Sequence, residues 1–383
     1  MLSLLYYWQY DLRQRIAARI YCLFHRTGRA GAVRPGLIND PRKVLLVITG
    51  LIGDTVLCTP SIQEARRVWP GAKLTLLGLN RNCDLLAGCP SLDSLHESPL
   101  IPFSLFKRRR LAQLKAWLKA QSFDVGMILL GDQFGLLLAQ AGIPVRVGVL
   151  GSPLARCLTH AYECATPRTW GPGDRLNALR VLGHRVQEIS PKLWVTETAR
   201  ASAQRRLGSL GLEHDVPYAV LHPFGRTWRQ HWPLDRADQL AEQLRREHGM
   251  KTLLIGLPRR AEKVLSFKSS WLVDARGAFS LQELVAVVEG ASLIVSTDSG
   301  PFHIAGALHR PVVGLFRSSR PEFATLYPTS LVVLGQDPSC KERCHWNYCA
   351  AMPCRQMLSL DVPVVLDHSK RLLERGPEVK ISQ

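Results

Sequence analysis

The sequence predicts an α/β chain of two doubly wound, Rossmann-like domains facing a central cleft, and three observations carry that prediction. The 383 residues suffice for two domains at roughly 150 residues apiece. Short apolar runs without polar alternation recur along the chain, the pattern of strands buried on both faces of a parallel sheet. Amphipathic helical stretches separate them, and the series runs twice, interrupted by a polar helical stretch near 185–215.

In chain order, the first element is a basic amphipathic segment, 1–34. Leu4, Leu5, Trp8, Leu12, Ile16, Ile20, Leu23 and Phe24 recur at three- and four-residue steps, while Arg13, Arg15, Arg19 and Arg26 fill most of the remaining arc. Six arginines against one aspartate give this segment a local charge of +5. The cations follow the apolar core, whereas in a signal peptide they precede it. Tyr6, Tyr7, Trp8 and Tyr10 suit interfacial depth, so residues 1–30 are expected to lie in the plane of an anionic membrane surface. A terminal helix packed on its own domain is the competing reading. No uncharged apolar run reaches the ~18 residues of a membrane-spanning helix.

After a Gly/Pro/Arg linker comes the first domain, expected over 43–195. Lys43–Thr49 (KVLLVIT) is a buried strand, Gly50-Leu51-Ile52-Gly53 a turn, and Asp54 to about Val68 a helix. Lys73–Gly78, Asp124–Leu130 and Val145–Val149 follow as strands, with a helix over Leu105–Ala120. The second domain, expected over 196–360, repeats the scheme. Pro217–His222, Lys251–Gly256, Ser292–Thr297 and Pro311–Phe316 are strands, and Asp235–His248, Leu281–Glu289 and Pro301–Leu308 are helices. The last segment, 361–383, is expected to cross back and brace the N-terminal domain.

Lys and Arg number 49 against 31 Asp and Glu, a net charge of +18, which favours a polyanionic neighbour: nucleic acid, an anionic membrane or a phosphorylated substrate. Lys107-Arg108-Arg109-Arg110 opens a helix, where it is either a solvated face or a contact for acidic headgroups. No zinc finger, RNA-recognition signature or aromatic-interleaved basic stripe accompanies the charge, so no nucleic-acid partner is expected. Of ten cysteines, six are scattered, several inside apolar runs, as small buried hydrophobes. Cys340, Cys344, Cys349 and Cys354 form C-x3-C-x4-C-x4-C, enough thiolates for a tetrahedral metal but not the paired spacing of zinc ribbons. Packing cysteines or a redox-labile bridge are competing readings.

The strongest chemical signal is Ser296-Thr297-Asp298-Ser299-Gly300-Pro301-Phe302-His303, at the carboxyl end of a strand and opening a helix. Asp298 or Ser299 can cap, Gly300 lets backbone approach a ligand, and Pro301 suits a first turn where no N–H is needed. The helix N–H groups and the positive end of the dipole make a site for a diphosphate, with His303 within reach of the same anion. Gly50 and Gly53 permit a tight turn with Asp54 at the helix start, either a favourable acid at an N-terminus or a general base. Neither GxGxxG nor a P-loop is present. Arg226, Arg229 and Gln230 lie in a cation-rich loop ahead of Trp232-Pro233, and Asp235 is placed to cap the helix beyond.

These pieces resemble glycosyltransferase family nine, the ADP-heptose:lipopolysaccharide heptosyltransferases, over about 43–375. The resemblance rests on G-x-x-G-D with a downstream T-P (Gly50, Gly53, Asp54, Thr59, Pro60), on the W-P at Trp232-Pro233, on D-S-G-P-x-H-x-A-x-A-L from Asp298 to Leu308, and on the cysteine-bearing C-terminal segment. It implies a GT-B fold with the nucleotide sugar in the C-terminal domain and the acceptor in the N-terminal one. It further implies inverting, metal-independent transfer with no cofactor besides the nucleotide-sugar donor, ADP-heptose. Asp54 would be the base, and Thr297, Asp298, Ser299, Gly300 and His303 would lie on the donor side. The family usually has Lys where this chain has Gln230; Arg226 or Arg229 could supply that charge. The expected acceptor is a lipopolysaccharide core or other lipid-linked saccharide, met by a cytoplasmic enzyme peripheral on the inner face of the bacterial inner membrane. A protein O-heptosyltransferase, which could use the cysteine cluster for iron or zinc, and a non-catalytic sugar-nucleotide-binding protein are the alternatives.

Overall fold

Two six-stranded parallel sheets organise the computed structural model, one in each of two units, Met1–Lys192 and Leu193–Gln383. The structure describes residues 36–98, 108–131, 133–151, 154–164, 172–212, 216–225, 231–257, 267–317, 327–338, 340 and 354–374. The basic segment 1–34, with its expected membrane contact, lies outside the described residues. Among the described residues no helix is long and apolar enough to cross a membrane.

The first sheet comprises β1 (Lys43–Ile48), β2 (Lys73–Gly78), β3 (Ser94–Glu97), β4 (Val125–Leu130), β5 (Val145–Val149) and β6 (His160–Tyr162), in the order β3-β2-β1-β4-β5-β6. The second comprises β7 (Tyr218–His222), β8 (Lys251–Leu254), β9 (Leu272–Asp274), β10 (Leu293–Thr297), β11 (Val312–Phe316) and β12 (Ser330–Leu334), in the order β12-β11-β10-β7-β8-β9. Counted from the first strand of each unit, both orders are the doubly wound one. The winding reverses between β1 and β4 in the first unit and between β7 and β10 in the second. Outside the carboxyl ends of the strands at such a reversal, open α/β sheets bind their ligands.

The central strands are apolar over most of their length because helices cover both faces. Val44 to Ile48 of β1 are wholly buried, as are Leu293, Ile294 and Val295 of β10. After β1 the sequence predicts one helix from Asp54 to about Val68; the structure has two, Ile52–Val56 and Thr59–Val68. Pro60, which lacks an N–H, sits in the first turn of the second, where none is needed. Thr59 Oγ1 donates to the Val56 carbonyl at 2.8 Å and accepts from the Lys192 N–H at 3.0 Å. The Thr-Pro pair therefore restarts a helix and ties down the end of the unit.

Within 361–383 the structure describes the Val362–Glu374 helix. Its apolar side, Val362, Val365, Leu366 and Leu372, is buried in the core of the second unit, against the Leu234–His248 helix and strands β10 to β12. Trp232, fully buried, donates its Nε1–H to the Leu360 carbonyl at 2.8 Å, just ahead of that helix.

Candidate functional site

The Gly50–Asp54 turn and the Ser296–Gly300 stretch fall at the two winding reversals. In the first unit the Thr49 N–H donates to the Leu130 carbonyl at 2.9 Å, joining β1 and β4 past their ends. Gly50 follows, and a Cβ there would run into the Leu130 side chain. Its carbonyl accepts from Arg81 Nε at 2.9 Å and from Asn82 Nδ2 at 3.1 Å. Asn82 is fully buried, donates also to Thr55 Oγ1 at 2.6 Å, and accepts the Leu79 N–H at 2.9 Å. This latch from the end of β2 fixes the Gly50–Gly53 turn. The sequence reading missed it; its only local signal is a polar pair directly after a buried strand.

Asp54 stands in the first turn of the Ile52–Val56 helix. Its side chain is 38% exposed, and its Oδ1 lies 3.8 Å from a guanidinium nitrogen of Arg175, whose side chain is only 2% exposed. Arg175 belongs to the Pro172–Arg180 helix and was not singled out in the sequence. Cys58 completes the group, its Sγ donating to the Asp54 carbonyl at 3.2 Å. Burial pushes the Cys58 thiol up to about 11, against the pull of Arg175 and with a further push from Asp54, so it stays protonated near neutral pH.

In the second unit, Ser296 and Thr297 end β10 buried, and Asp298, Ser299 and Gly300 follow half-buried. Ser299 is the N-cap of the Gly300–Ala307 helix, yet its side chain makes no capping bond. Its hydroxyl turns back across the winding reversal to His222 Nδ1 at 3.0 Å, and also meets Ser296 Oγ and the Thr297 carbonyl, each at 3.1 Å. The cap side chain therefore leaves the helix N–H groups to other acceptors. Thr297, expected on the donor side, is 2% exposed and donates its hydroxyl to the Phe224 carbonyl at 2.7 Å; it holds the loop after β7. His303 is 7% exposed, with Nδ1 3.0 Å from the Tyr327 hydroxyl. Burial drives the Tyr327 hydroxyl pKa upward, so the phenol keeps its proton. Donated to Nδ1, that proton goes with the His303 tautomer carrying N–H at Nε2; an Nδ1–H donated to the phenol oxygen goes with the other.

His222 and Tyr327 were not visible as site residues in the sequence. Burial lowers the His222 pKa to about 4, with the nearby His231 adding to the effect. The sign follows from linkage. The unfolded chain binds this proton from its ordinary value near 6.5, whereas the folded unit resists it until about 4. His222 therefore contributes stability that is complete above pH 6.5 and lost as pH falls through that window. Urea midpoints for the wild type are expected to fall across the interval, and His222→Gln to flatten the slope; equal slopes would refute the assignment.

Arg226, Arg229 and Gln230 lie outside the described residues. The W-P that closes their loop is anchored: the Trp232 N–H donates to the Pro223 carbonyl at 2.8 Å. Asp235 does not cap the next helix as expected. Pro233 is the N-cap, and Asp235 sits in the first turn, where its charge still favours the helix dipole. Of the cysteine cluster, Cys344 and Cys349 lie outside the described residues; Cys340 is half-buried and Cys354 buried. Among the described residues no group of three or more His, Cys, Asp or Glu is gathered as a metal set would be.

Comparison with known proteins bears on what these residues do. The family model described as glycosyltransferase family 9 (heptosyltransferase) matches residues 111–350. Lipopolysaccharide heptosyltransferase 2 of Salmonella typhimurium is 33% identical over 299 residues, 73% of this chain and 84% of that protein. Lipopolysaccharide heptosyltransferase 1 of Pseudomonas aeruginosa is 27% identical over 348 residues, 82% of this chain and 89% of that protein. A glycosyl transferase family 9 structure from Veillonella parvula superposes with a TM-score of 0.72 at 20% identity, covering 88% of this chain and 98% of that one. The E. coli ADP-heptose lipopolysaccharide heptosyltransferase II gives 0.70 at 21% identity, covering 87% and 99%. The two Rossmann-like units are thus those of a GT-B fold.

Proposed function

Because the chain belongs to glycosyltransferase family 9, the heptosyltransferases, and is therefore a glycosyltransferase, we propose that it moves a heptose from ADP-heptose onto a lipopolysaccharide core or other lipid-linked saccharide. One observation carries this reading. A half-exposed carboxylate, Asp54, stands at the winding reversal of one doubly wound sheet, and a helix N-terminus that its cap side chain at Ser299 leaves uncapped stands at that of the other. The names of the relatives support the substrate class, and an E. coli heptosyltransferase of 0.63 TM-score was solved with ADP-2-deoxy-2-fluoro heptose.

The acceptor hydroxyl attacks the anomeric carbon of the donor from the face opposite the diphosphate, inverting that centre. As the new C–O bond forms, Asp54 takes the hydroxyl proton, and the bond to the diphosphate breaks with its electron pair going to the departing ADP. The second unit meets that charge with preorganised donors, the N–H groups at the start of the Gly300–Ala307 helix and the His303 ring; Arg226 and Arg229 add cationic charge. Asp298 orders the turn or holds sugar hydroxyls. The site of action is peripheral, at the inner face of the bacterial inner membrane, in keeping with a net charge of +18 and a lipid-borne acceptor; residues 1–30 supply the contact.

The test is a nucleotide-sugar panel read by thermal and urea unfolding. ADP-heptose at a hundred times its Kd is expected to add about 2.7 kcal/mol to the unfolding free energy, and UDP- and GDP-sugars little. Transfer from the stabilising sugar to a heptose-deficient lipopolysaccharide then completes the assignment. Stabilisation by a UDP-sugar alone would overturn the donor, and stabilisation by ADP-heptose without transfer would overturn the acceptor.

A further inference from the structure

We propose that Arg175 is a positioning residue for the Asp54 base, an inference that rests on the role proposed for Asp54 above. A general base must be held within hydrogen-bond reach of the proton it takes. Asp54 has little to hold it: it sits on a five-residue helix, and its side chain is 38% exposed. Arg175 is the opposite, a guanidinium buried to 2% of its side chain on a nine-residue helix. That helix is packed between the Thr59–Val68 helix and β4.

Burying a guanidinium costs several kcal/mol unless charge and hydrogen bonds compensate it, so its place here calls for more than filling space. The carboxylate oxygen facing it is Asp54 Oδ1, at 3.8 Å. A buried cation beside a half-exposed carboxylate narrows the orientations the carboxylate adopts. With Oδ1 turned to the guanidinium, Oδ2 is the oxygen presented to the acceptor hydroxyl. Cys58 lies in the same pocket: the Arg175 guanidinium lowers its thiol pKa while the Asp54 carboxylate raises it, which marks the three groups as electrostatic neighbours. The planar guanidinium matters as well as its charge, since a lysine ammonium is a point charge on a flexible stem.

The experiment uses the full chain with ADP-heptose and a heptose-deficient lipopolysaccharide as probes, and compares R175Q, R175K, D54N and D54N/R175Q. R175Q is expected to lower kcat 10- to 100-fold with both KM values within threefold of wild type, and R175K to recover part of the loss. The double variant should be no slower than D54N alone, because a residue acting through Asp54 has nothing left to position. A merely structural Arg175 would lower the melting temperature and move kcat by similar factors in both backgrounds; that additivity, or wild-type kcat in folded R175Q, overturns the proposal. Should R175Q not fold, R175K carries the test, with a three- to tenfold loss of kcat at unchanged KM expected and an unchanged kcat overturning it. If D54N itself turns over normally, the reading of Asp54 fails first. If D54N is inactive while R175Q is unimpaired, only the present inference fails.

Discussion

Asp54→Asn is expected to reduce kcat for heptosyl transfer by roughly 10²–10⁴-fold, the range that a positioned general base contributes, while the affinity for ADP-heptose stays within about twofold. The substitution keeps the shape of the side chain and removes only its capacity to take a proton. Donor affinity is expected to persist because the groups proposed above for the donor, Ser299, Gly300 and His303, belong to the other unit. Asparagine also withdraws charge from beside the buried Arg175, so some stability is lost. The 38% exposure of Asp54 lets water screen that change, and rates should be compared well below the melting temperature. Single-turnover kinetics separates the chemical step from binding. A kcat within tenfold of wild type would remove Asp54 as the base, whatever happens to KM.

That Asp54 could be picked out of the sequence at all follows from the locality of its signal. A buried strand, a glycine turn and an acid at a helix start lie within about a dozen consecutive residues, and the Asp298–His303 stretch has the same compactness. The fold was legible for a related reason. All eight strands anticipated from continuous apolar runs exist, and they are the interior strands of the two sheets. The four not anticipated, β3, β6, β9 and β12, are the four sheet edges. An edge strand is short and covered on fewer sides: Ser94–Glu97 alternates half-buried and exposed, and Leu272–Asp274 has one buried residue in three. The β3, β6 and β9 segments carry no long run of apolar residues to read, whereas β12 does carry one, Leu331 to Leu334, and was passed over.

Contacts between distant parts of the chain were invisible in the same way. Arg175 meets Asp54, His222 meets Ser299 and Tyr327 meets His303, and neither member of each pair encodes the other locally. The C-terminal helix shows the same limit: its amphipathic pattern declares a buried face without naming what buries it, here the core of the second unit. Pro60 is the contrary case: a helix break that local chemistry does encode, passed over because the apolar spacing continues across it.

Gly306→Ala sets a local rule against a tertiary one. Helix propensity says that alanine in place of a helical glycine gains about 1 kcal/mol. The packing says the reverse. A Cβ at Gly306 would fall on the body of the Tyr327 ring, against Cγ, Cδ1 and Cδ2. That ring has little room to retreat, being 2% exposed and set edge-on to Phe302 with centroids 5.8 Å apart. Overpacking of this kind costs about 1–3 kcal/mol, occasionally more, and the strain falls on ring atoms instead of a flexible tip. Gly306→Ala is therefore expected to lower the unfolding free energy by about 2 kcal/mol despite its better helix former, read as a shift in urea midpoint with unchanged m. It should also weaken ADP-heptose binding about tenfold, because a displaced ring carries its hydroxyl away from His303 Nδ1. Tyr327→Phe separates the two effects: it keeps the ring, removes the hydroxyl, and should weaken donor binding without the overpacking strain. If Gly306→Ala is as stable as wild type, Tyr327 has room to move and the glycine is not required by packing. If it is destabilised while both variants bind ADP-heptose normally, the Tyr327–His303 hydrogen bond serves the core of the second unit and His303 leaves the donor site.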